Sequence, residues 1–404
     1  MAELMQWVNA VSTRASLEAA VAEVVEKASV LLQLPADFGL IFISAAFTSE
    51  YPRLLPLLNE KLPDIKVLIG CGGGGIIGTN KQGTVQEFEG VPALSLTLAH
   101  LPGVEITPFH VVSEQFPDLD SPPTAWVDLL GVSPTKKPQF ILLSDPFSAG
   151  VNDLLQGIDY AYPGSITVGG LASGSQMPGR VGLLCNETLY RAGTVGVALS
   201  GNITLDTIVA QGCRPIGEPY RVSASERNVL LALEEQPPLE VLRDLISSLN
   251  DSDRQLAEHS LFIGVVRDEF KQNLEHGDFL IRNLLGVDPK VGAIAVADLI
   301  RPGQRIQFHL RDAETSADDL EWLLQRYIQT HPDSSPAGAL MFSCLGRGEM
   351  LYGKPNFDSQ LFNSYMPNVA VGGFFGNGEI GPVGGSTFLH GYTSVFAICR
   401  QPRS

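Results

Sequence analysis

The sequence predicts an α/β (α+β) fold: two domains of mixed β-sheet covered by helices. One strand-helix-strand-GlyGly pattern occurs three times, and short apolar runs alternate with helical stripes along the chain. At 404 residues with 44% hydrophobic composition, two cores can be buried without help from metal or disulfides.

The N-terminal region supplies the first helix. Leu17, Ala20, Val21, Val24, Val25 and Ala28 recur at helical spacing behind Ser16, a residue type that caps helices. The first copy of the repeat follows as "LIFISAAF", a Leu-rich helix after Pro52, Pro63 and "IKVLIGCGGGG". The second reads "FILLSDPF", a helix with Val151, Leu154, Leu155 and Ile158 on one face, Pro163 and "SITVGGLASG". The third reads "ALMFSCLG", a short helix around Leu361 and Phe362, Pro367 and "VAVGGFFGNG". A strand, a crossover helix and a second strand form a right-handed parallel unit, so both strand ends emerge at one sheet edge, where open α/β sheets bind ligands. The runs "PALSLTLAHL", "TVGVALSG" and "TFLHGYTSVFAICR" add further strands and make the sheets mixed.

Two columns of the repeat carry candidate chemistry. Ser44, Ser144 and Ser343 end the first strands; Gly70, Gly169 and Gly372 end the second, followed by Cys71, Gly170 and Gly373. The first glycine run contains a G-x-G-x-x-G match, but "IIGTNKQGTVQEFEG" after it has no helical stripe, which a dinucleotide site requires. The glycines are read instead as tight positive-φ turns whose N–H groups form a nest for an anion. No cofactor is expected.

The domain boundary is expected near residue 223, giving domains 1–223 with two repeats and 224–404 with the third. Beyond it, "SASERNVLLALEEQPPLEVLRDLISSLNDSD" reads as a strand or turn, a Pro237-Pro238 stop, a short helix and a polar loop. "LFIGVV", "VGAIAVADLI" and "RIQFHLRD" read as strands. Leu320, Leu323, Leu324, Tyr327 and Ile328 form one face of a helix, with Ser316 and Asp319 at capping-box spacing. The Pro-rich "DLDSPPTAWVDLLGVSPTKKPQ" is expected as a loop or lid.

A formal charge of −17 repels phosphate backbones and anionic lipids, so neither nucleic acid nor a membrane surface is an expected partner. Five scattered cysteines without C-x-x-C, and no basic or apolar leader or membrane span, fit a reducing cytoplasm. There is no H-E-x-x-H and no G-x-S-x-G, and Pro355 spoils the Walker-like run Gly348–Lys354. No metal is expected.

The richest polar cluster lies in the third repeat. Ser343, Cys344 and Arg347 follow one strand end; Gly372, Gly373, Asn377 and Glu379 follow the matching glycine turn, and His390 lies in the next strand. Arg347 is suited to a ligand carboxylate, Glu379 to an ammonium group, and Cys344 to a pocket wall or a nucleophile. Each also has an internal reading: a buried thiol, an Arg347–Glu379 ion pair, a strand histidine, serines that cap local backbone.

"IGCGGGGIIG", "MFSCLGRG", "GGFFGNGEIGP" and "TFLHGYTSVFAI" resemble the landmarks of FIST proteins, whose paired N-terminal and C-terminal domains would cover nearly the whole chain. The resemblance implies an intracellular sensory module for small ligands such as amino acids, and brings no agreed catalytic residues. With no room for an F-box or output domain, occupancy is expected to pass to a separate signalling or regulatory protein. The alternatives are an enzyme using Cys344 with Arg347, Glu379 or His390, and a protein-interaction scaffold.

Overall fold

The computed structural model describes residues 3–118, 120–274 and 277–402. The chain forms two compact units, one from residues 1–209 with 323–404 and one from residues 210–322.

Six strands recur three times along the chain. The first set is β1 (Gln6–Ser12), β2 (Phe38–Ser44), β3 (Val67–Gly73), β4 (Gly75–Thr79), β5 (Val85–Glu89) and β6 (Leu94–His100). The second is β7 (Val104–Val111), β8 (Gln139–Ser144), β9 (Thr167–Leu171), β10 (Leu183–Cys185), β11 (Thr188–Tyr190) and β12 (Thr194–Gly201). The third opens with β13 (Thr204–Ala210). It is interrupted by β14 (Arg214–Glu226), β15 (Val229–Leu233), β16 (Leu261–Val266), β17 (Phe279–Asp288), β18 (Ala293–Val296) and β19 (Arg305–Leu310). It resumes with β20 (Gly338–Cys344), β21 (Val371–Gly376), β22 (Glu379–Val383), β23 (Ser386–His390) and β24 (Ser394–Arg400). Helices α1 (Leu17–Leu32) and α2 (Tyr51–Lys61) belong to the first repeat, α3 (Pro123–Leu130) and α4 (Val151–Ala161) to the second. Helices α5 (Pro238–Ser248) and α6 (Asp251–Ala257) lie in the interruption; α7 (Ala313–Thr330), α8 (Glu349–Tyr352) and α9 (Phe357–Tyr365) return to the third.

The larger unit holds three sheets of one design. Their orders are β1-β6-β2-β3-β10-β11, β7-β12-β8-β9-β22-β23 and β13-β24-β20-β21-β4-β5. In each, a parallel pair (β2/β3, β8/β9, β20/β21) is flanked by the repeat's own last and first strands. The hairpin that completes each sheet is borrowed from another repeat: β4-β5 crosses to the third sheet, β10-β11 to the first and β22-β23 to the second. The exchange is cyclic, so no repeat can complete its sheet alone.

Side-chain alternation explains the layers. Phe38, Leu40 and Phe42 of β2 face a core shared with Ile141, Leu143, Leu340 and Phe342. Ile41 and Ile43 face the other way, under Leu17, Val21 and Val24 of α1 and Leu54 and Leu58 of α2. Helices α3 and α4 cover the second sheet likewise, and Phe362 of α9 stacks on Phe396 of β24 at 4.9 Å. Ser16 caps α1 by accepting the Ala19 N–H, as the spacing predicts.

The interrupting segment is a closed barrel, β14-β15-β18-β17-β16-β19, with all six pairings antiparallel. The expected boundary at residue 223 falls inside β14. The expected polar loop after α5 is helix α6, capped by Asn250 on the Asp253 N–H. Helix α7 is capped by Asp312, which accepts the Thr315 N–H; Ser316 and Asp319 instead bind the Gly212 carbonyl and N–H. The expected loop or lid at residues 118–139 contains α3, because Trp126 and Leu130 are buried; its Leu119 lies outside the described residues.

The glycine expectation is corrected as well. Gly70, Gly169 and Gly372 lie inside the second strands rather than ending them; Gly169 has the expected positive φ, at 147°, while Gly70, Gly372 and Gly373 do not. What excludes a side chain is close approach within the parallel pairs. A β-carbon would lie 2.1 Å from Ile41 O at Gly70, 1.8 Å from Leu142 O at Gly169 and 1.9 Å from Met341 O at Gly373. Gly373→Ala is therefore expected to lower stability by about 1–3 kcal/mol, while Gly391→Ala, with open space around it, changes it by less than about 0.5 kcal/mol. Urea denaturation midpoints check the pair; equal midpoints would refute the close-approach account.

Candidate functional site

The strand ends of the three repeats meet where each chain segment leaves its own sheet. Gly74 N–H donates to Phe375 O at 3.3 Å, Ser173 N–H to Gly72 O at 3.0 Å and Asn377 N–H to Leu171 O at 3.1 Å. Each departing segment thus bonds the second strand of the sheet it enters. Side chains reinforce the ring: Ser173 Oγ accepts the Gly74 N–H and donates to Phe375 O, and Asn377 Nδ2 donates to Ala172 O. Of the glycine N–H groups expected to form an anion nest, those of Gly72 and Gly74 are already bonded, Gly72 N–H to Gly182 O and Gly74 N–H to Phe375 O.

Beside this ring the structure gathers most of the third-repeat cluster. Glu379 is fully buried and its Oε2 accepts the Thr393 hydroxyl at 2.7 Å and the Thr393 N–H at 3.2 Å. The Cys344 N–H donates to Thr393 O, and the Arg347 N–H to Cys344 O. His390, register partner of Glu379 in the β22-β23 ladder, donates from Nε2 to Gly381 O. Cys344 is half-buried, and its Sγ accepts the Gly346 N–H at 3.4 Å. Gly372 stands apart, since a β-carbon there would press on Asn9 and Thr97. Gly373 is packed against Met341, Gly70 against Ile41 and Gly169 against Leu142, while Gly170 abuts the Gly378 carbonyl. Cys71 is fully buried, and burial pushes its thiol well above the usual range.

The serine column separates the repeats chemically. Ser44 Oγ accepts the Ala93 N–H, and Ser144 Oγ is 2.8 Å from Thr194 Oγ1, its register partner. The corresponding pair in the third repeat is Ser343 with Ser394. Both hydroxyls are buried and neither has a hydrogen-bond partner among the described residues. Buried hydroxyls are seldom left so.

Arg347 is fully buried and forms a bidentate pair with Asp358, Nε to Oδ2 at 2.7 Å and Nη2 to Oδ1 at 3.0 Å. Tyr352 closes the pair, its hydroxyl accepting from Arg347 Nη2 and donating to Asp358 Oδ1. Asp358 thus takes the position in which the sequence reading put a ligand's carboxylate or Glu379. The hairpin borrowed from the first repeat adds Glu87, whose Oε1 accepts the Ser359 N–H and whose buried Oε2 has no partner. Burial first, then the Asp358 charge, pushes the Glu87 carboxyl up to about 7. Sequence reasoning missed Thr393, Ser394, Asp358, Tyr352 and Glu87. Only Ser394 carried a usable signal, as the third repeat's counterpart of Thr194.

Asp358→Ala leaves the Arg347 charge buried and is expected to cost about 3–5 kcal/mol; an Arg347→Met/Asp358→Leu double variant should recover a large part of it in denaturation. Stability near the wild-type value in Asp358→Ala would refute the account. Glu87 binds its proton more tightly folded than unfolded, so its contribution is present at low pH and lost as pH rises from about 4.5 through about 7. Glu87→Gln should therefore gain on the wild type across that window, by at most about 3 kcal/mol. A difference independent of pH would contradict it.

Comparison with known proteins identifies the family. The FIST N domain model matches residues 37–236 and the FIST C domain model residues 238–382. Their division falls within the inserted segment rather than between the compact units. An uncharacterised protein of Mycobacterium tuberculosis (strain H37Rv) is 34% identical over 88% of this chain and 89% of its own. An F-box/LRR-repeat protein of Arabidopsis thaliana is 26% identical over 65% of this chain and 57% of its own, and F-box only protein 22 of Homo sapiens is 31% identical over 29% and 33%. A crystal structure of cyanuric acid hydrolase from A. caulinodans covers 98% of this chain and 99% of that chain, at 10% identity and a TM-score of 0.32, too low to carry over fold or chemistry. Among the described residues no helix is long and apolar enough to cross a membrane. The chain belongs to the FIST family of sensory modules, with its FIST N and FIST C domains both present.

Proposed function

We propose that this protein is an intracellular sensory protein that binds a small polar metabolite, an amino acid or similar zwitterion, at the strand ends of the third repeat and passes occupancy to a separate protein. The observation that carries the reading is the open hydroxyl pair. Ser144 and Thr194 satisfy each other in the second repeat, whereas Ser343 and Ser394 in the same register are buried without partners. A ligand bonded to these hydroxyls would satisfy both. Glu379 and Thr393 lie on the same strand ends, and Glu379 supplies the negative charge for an ammonium group. Half-buried Cys344 forms the lip, and Asn377, His390 and Gly373 belong to the elements that hold the cluster. Arg347, locked to Asp358, shapes the site from behind rather than gripping the ligand.

The test is a thermal-shift screen of the full chain against amino acids and related zwitterions, followed by calorimetric titration. A stabilising zwitterion is expected to lose about 1.5–3 kcal/mol of affinity in Glu379→Gln and about 0.5–1.5 kcal/mol in Ser343→Ala, with Ser144→Ala unchanged. Equal losses in Ser144→Ala and Ser343→Ala would place the site elsewhere. A screen without any stabilising zwitterion would remove the ligand class.

A further inference from the structure

A cleft of ≈ 990 Å³ opens between α1, β1, the β4-β5 turn and residues 368–370, and continues into an adjoining ≈ 650 Å³ pocket. It is lined by residues 368–370, just before β21, whereas the strand-end cluster sits at the strand's last residue, about 20 Å away at ~3.3 Å per residue. The two sites are thus separate.

The floor of the cleft is fixed by buried hydrogen bonds. Asn9 donates to Ser95 and Thr97 and accepts the Thr79 N–H at 2.7 Å. Thr79 Oγ1 accepts the Val371 N–H at 2.9 Å and reaches the Val371 carbonyl at 3.1 Å. One donor in the lining is left over: Trp7 is 5% exposed and its buried Nε1 has no partner.

The charges favour an anion. Arg14, Lys27 and Lys81 line the cleft with Glu23 and Glu26, a local balance of three cations to two anions in a chain of net charge −17. Glu23 is bonded to Ser12 at 2.6 Å, Lys27 at 2.7 Å and Arg14 at 3.4 Å, and Lys27 also donates to Val11 O at 3.1 Å, so an entering anion shares Lys27 and Arg14 with Glu23. Against the burial that raises it, those bonds hold its carboxyl down at about 2. At the rim, Val30 and Leu31 of α1 are 65% and 58% exposed. They offer apolar contact to whatever enters.

We propose that this cleft is a second ligand site, independent of the strand-end site, that takes a small amphipathic organic anion: a carboxylate toward Arg14, Lys27 and Lys81, and an apolar body along Val30 and Leu31.

The probe is sodium octanoate, with octanol as its uncharged counterpart, titrated into the full chain and followed by the indole N–H resonances, that of Trp7 assigned through Trp7→Phe. Saturable octanoate binding that moves the Trp7 resonance and leaves those of Trp126 and Trp322 in place is expected, together with octanol binding weaker by about tenfold. The Arg14→Ala/Lys81→Ala chain should lose about tenfold in octanoate affinity. Both residues are exposed, so the variant folds as the wild type does. No octanoate binding, an unmoved Trp7 resonance, equal affinity for octanol, or full affinity in the double variant would each overturn the proposal.

Discussion

Everything else in the larger unit depends on the cyclic exchange of hairpins, closed by the three N–H···O bonds from Gly74, Ser173 and Asn377. Each bond joins a departing chain to the sheet it is entering, so a single repeat leaves one edge of its sheet unpaired. Unpaired strand edges and unsatisfied backbone groups are costly when buried. The three repeats therefore complete one another, and the close-packed glycines of the second strands follow from the same geometry. A strand that must lie against its parallel partner and then cross to another sheet has no space for a β-carbon.

The exchange also decides where charge is buried. Glu87 travels on the first repeat's hairpin and docks on α9 of the third, beside Arg347 and Asp358. Arg347 pairs with one buried carboxyl there, Asp358, and Glu87 is a second buried carboxyl near it. The second, Glu87, holds its proton to about neutral pH because desolvation and the Asp358 charge both oppose ionisation. Sequence distance gives no hint that Glu87 joins this cluster, since it lies 272 residues from Ser359, whose N–H it accepts.

The interruption of the third repeat sets the compact units, residues 1–209 with 323–404 and residues 210–322. β13 corresponds to β1 and β7, and α7 to α1 and α3, so the barrel enters at the same loop that the other repeats fill with a few residues. Length alone made a second domain necessary, yet a run of antiparallel strands looks the same in a mixed sheet as in a closed barrel. The difference lies in which strand meets the last one, here β14 with β19.

What the sequence determined by itself was local and periodic. Short apolar runs marked the strands, the Ser16 cap and its apolar stripe marked α1, and the recurrence of Ser and Gly columns marked the repeats. It also collected Ser343, Cys344, Glu379 and His390 as one cluster, because a parallel strand pair brings its ends together whatever surrounds it. Tertiary structure alone decided the partners: Asp358 rather than Glu379 for the Arg347 pair, Thr393 for Glu379, a neighbour's sheet for every hairpin. Strand pairing and ion pairing are chosen by long-range contact, and a charged side chain carries no periodicity that says which opposite charge will be buried beside it.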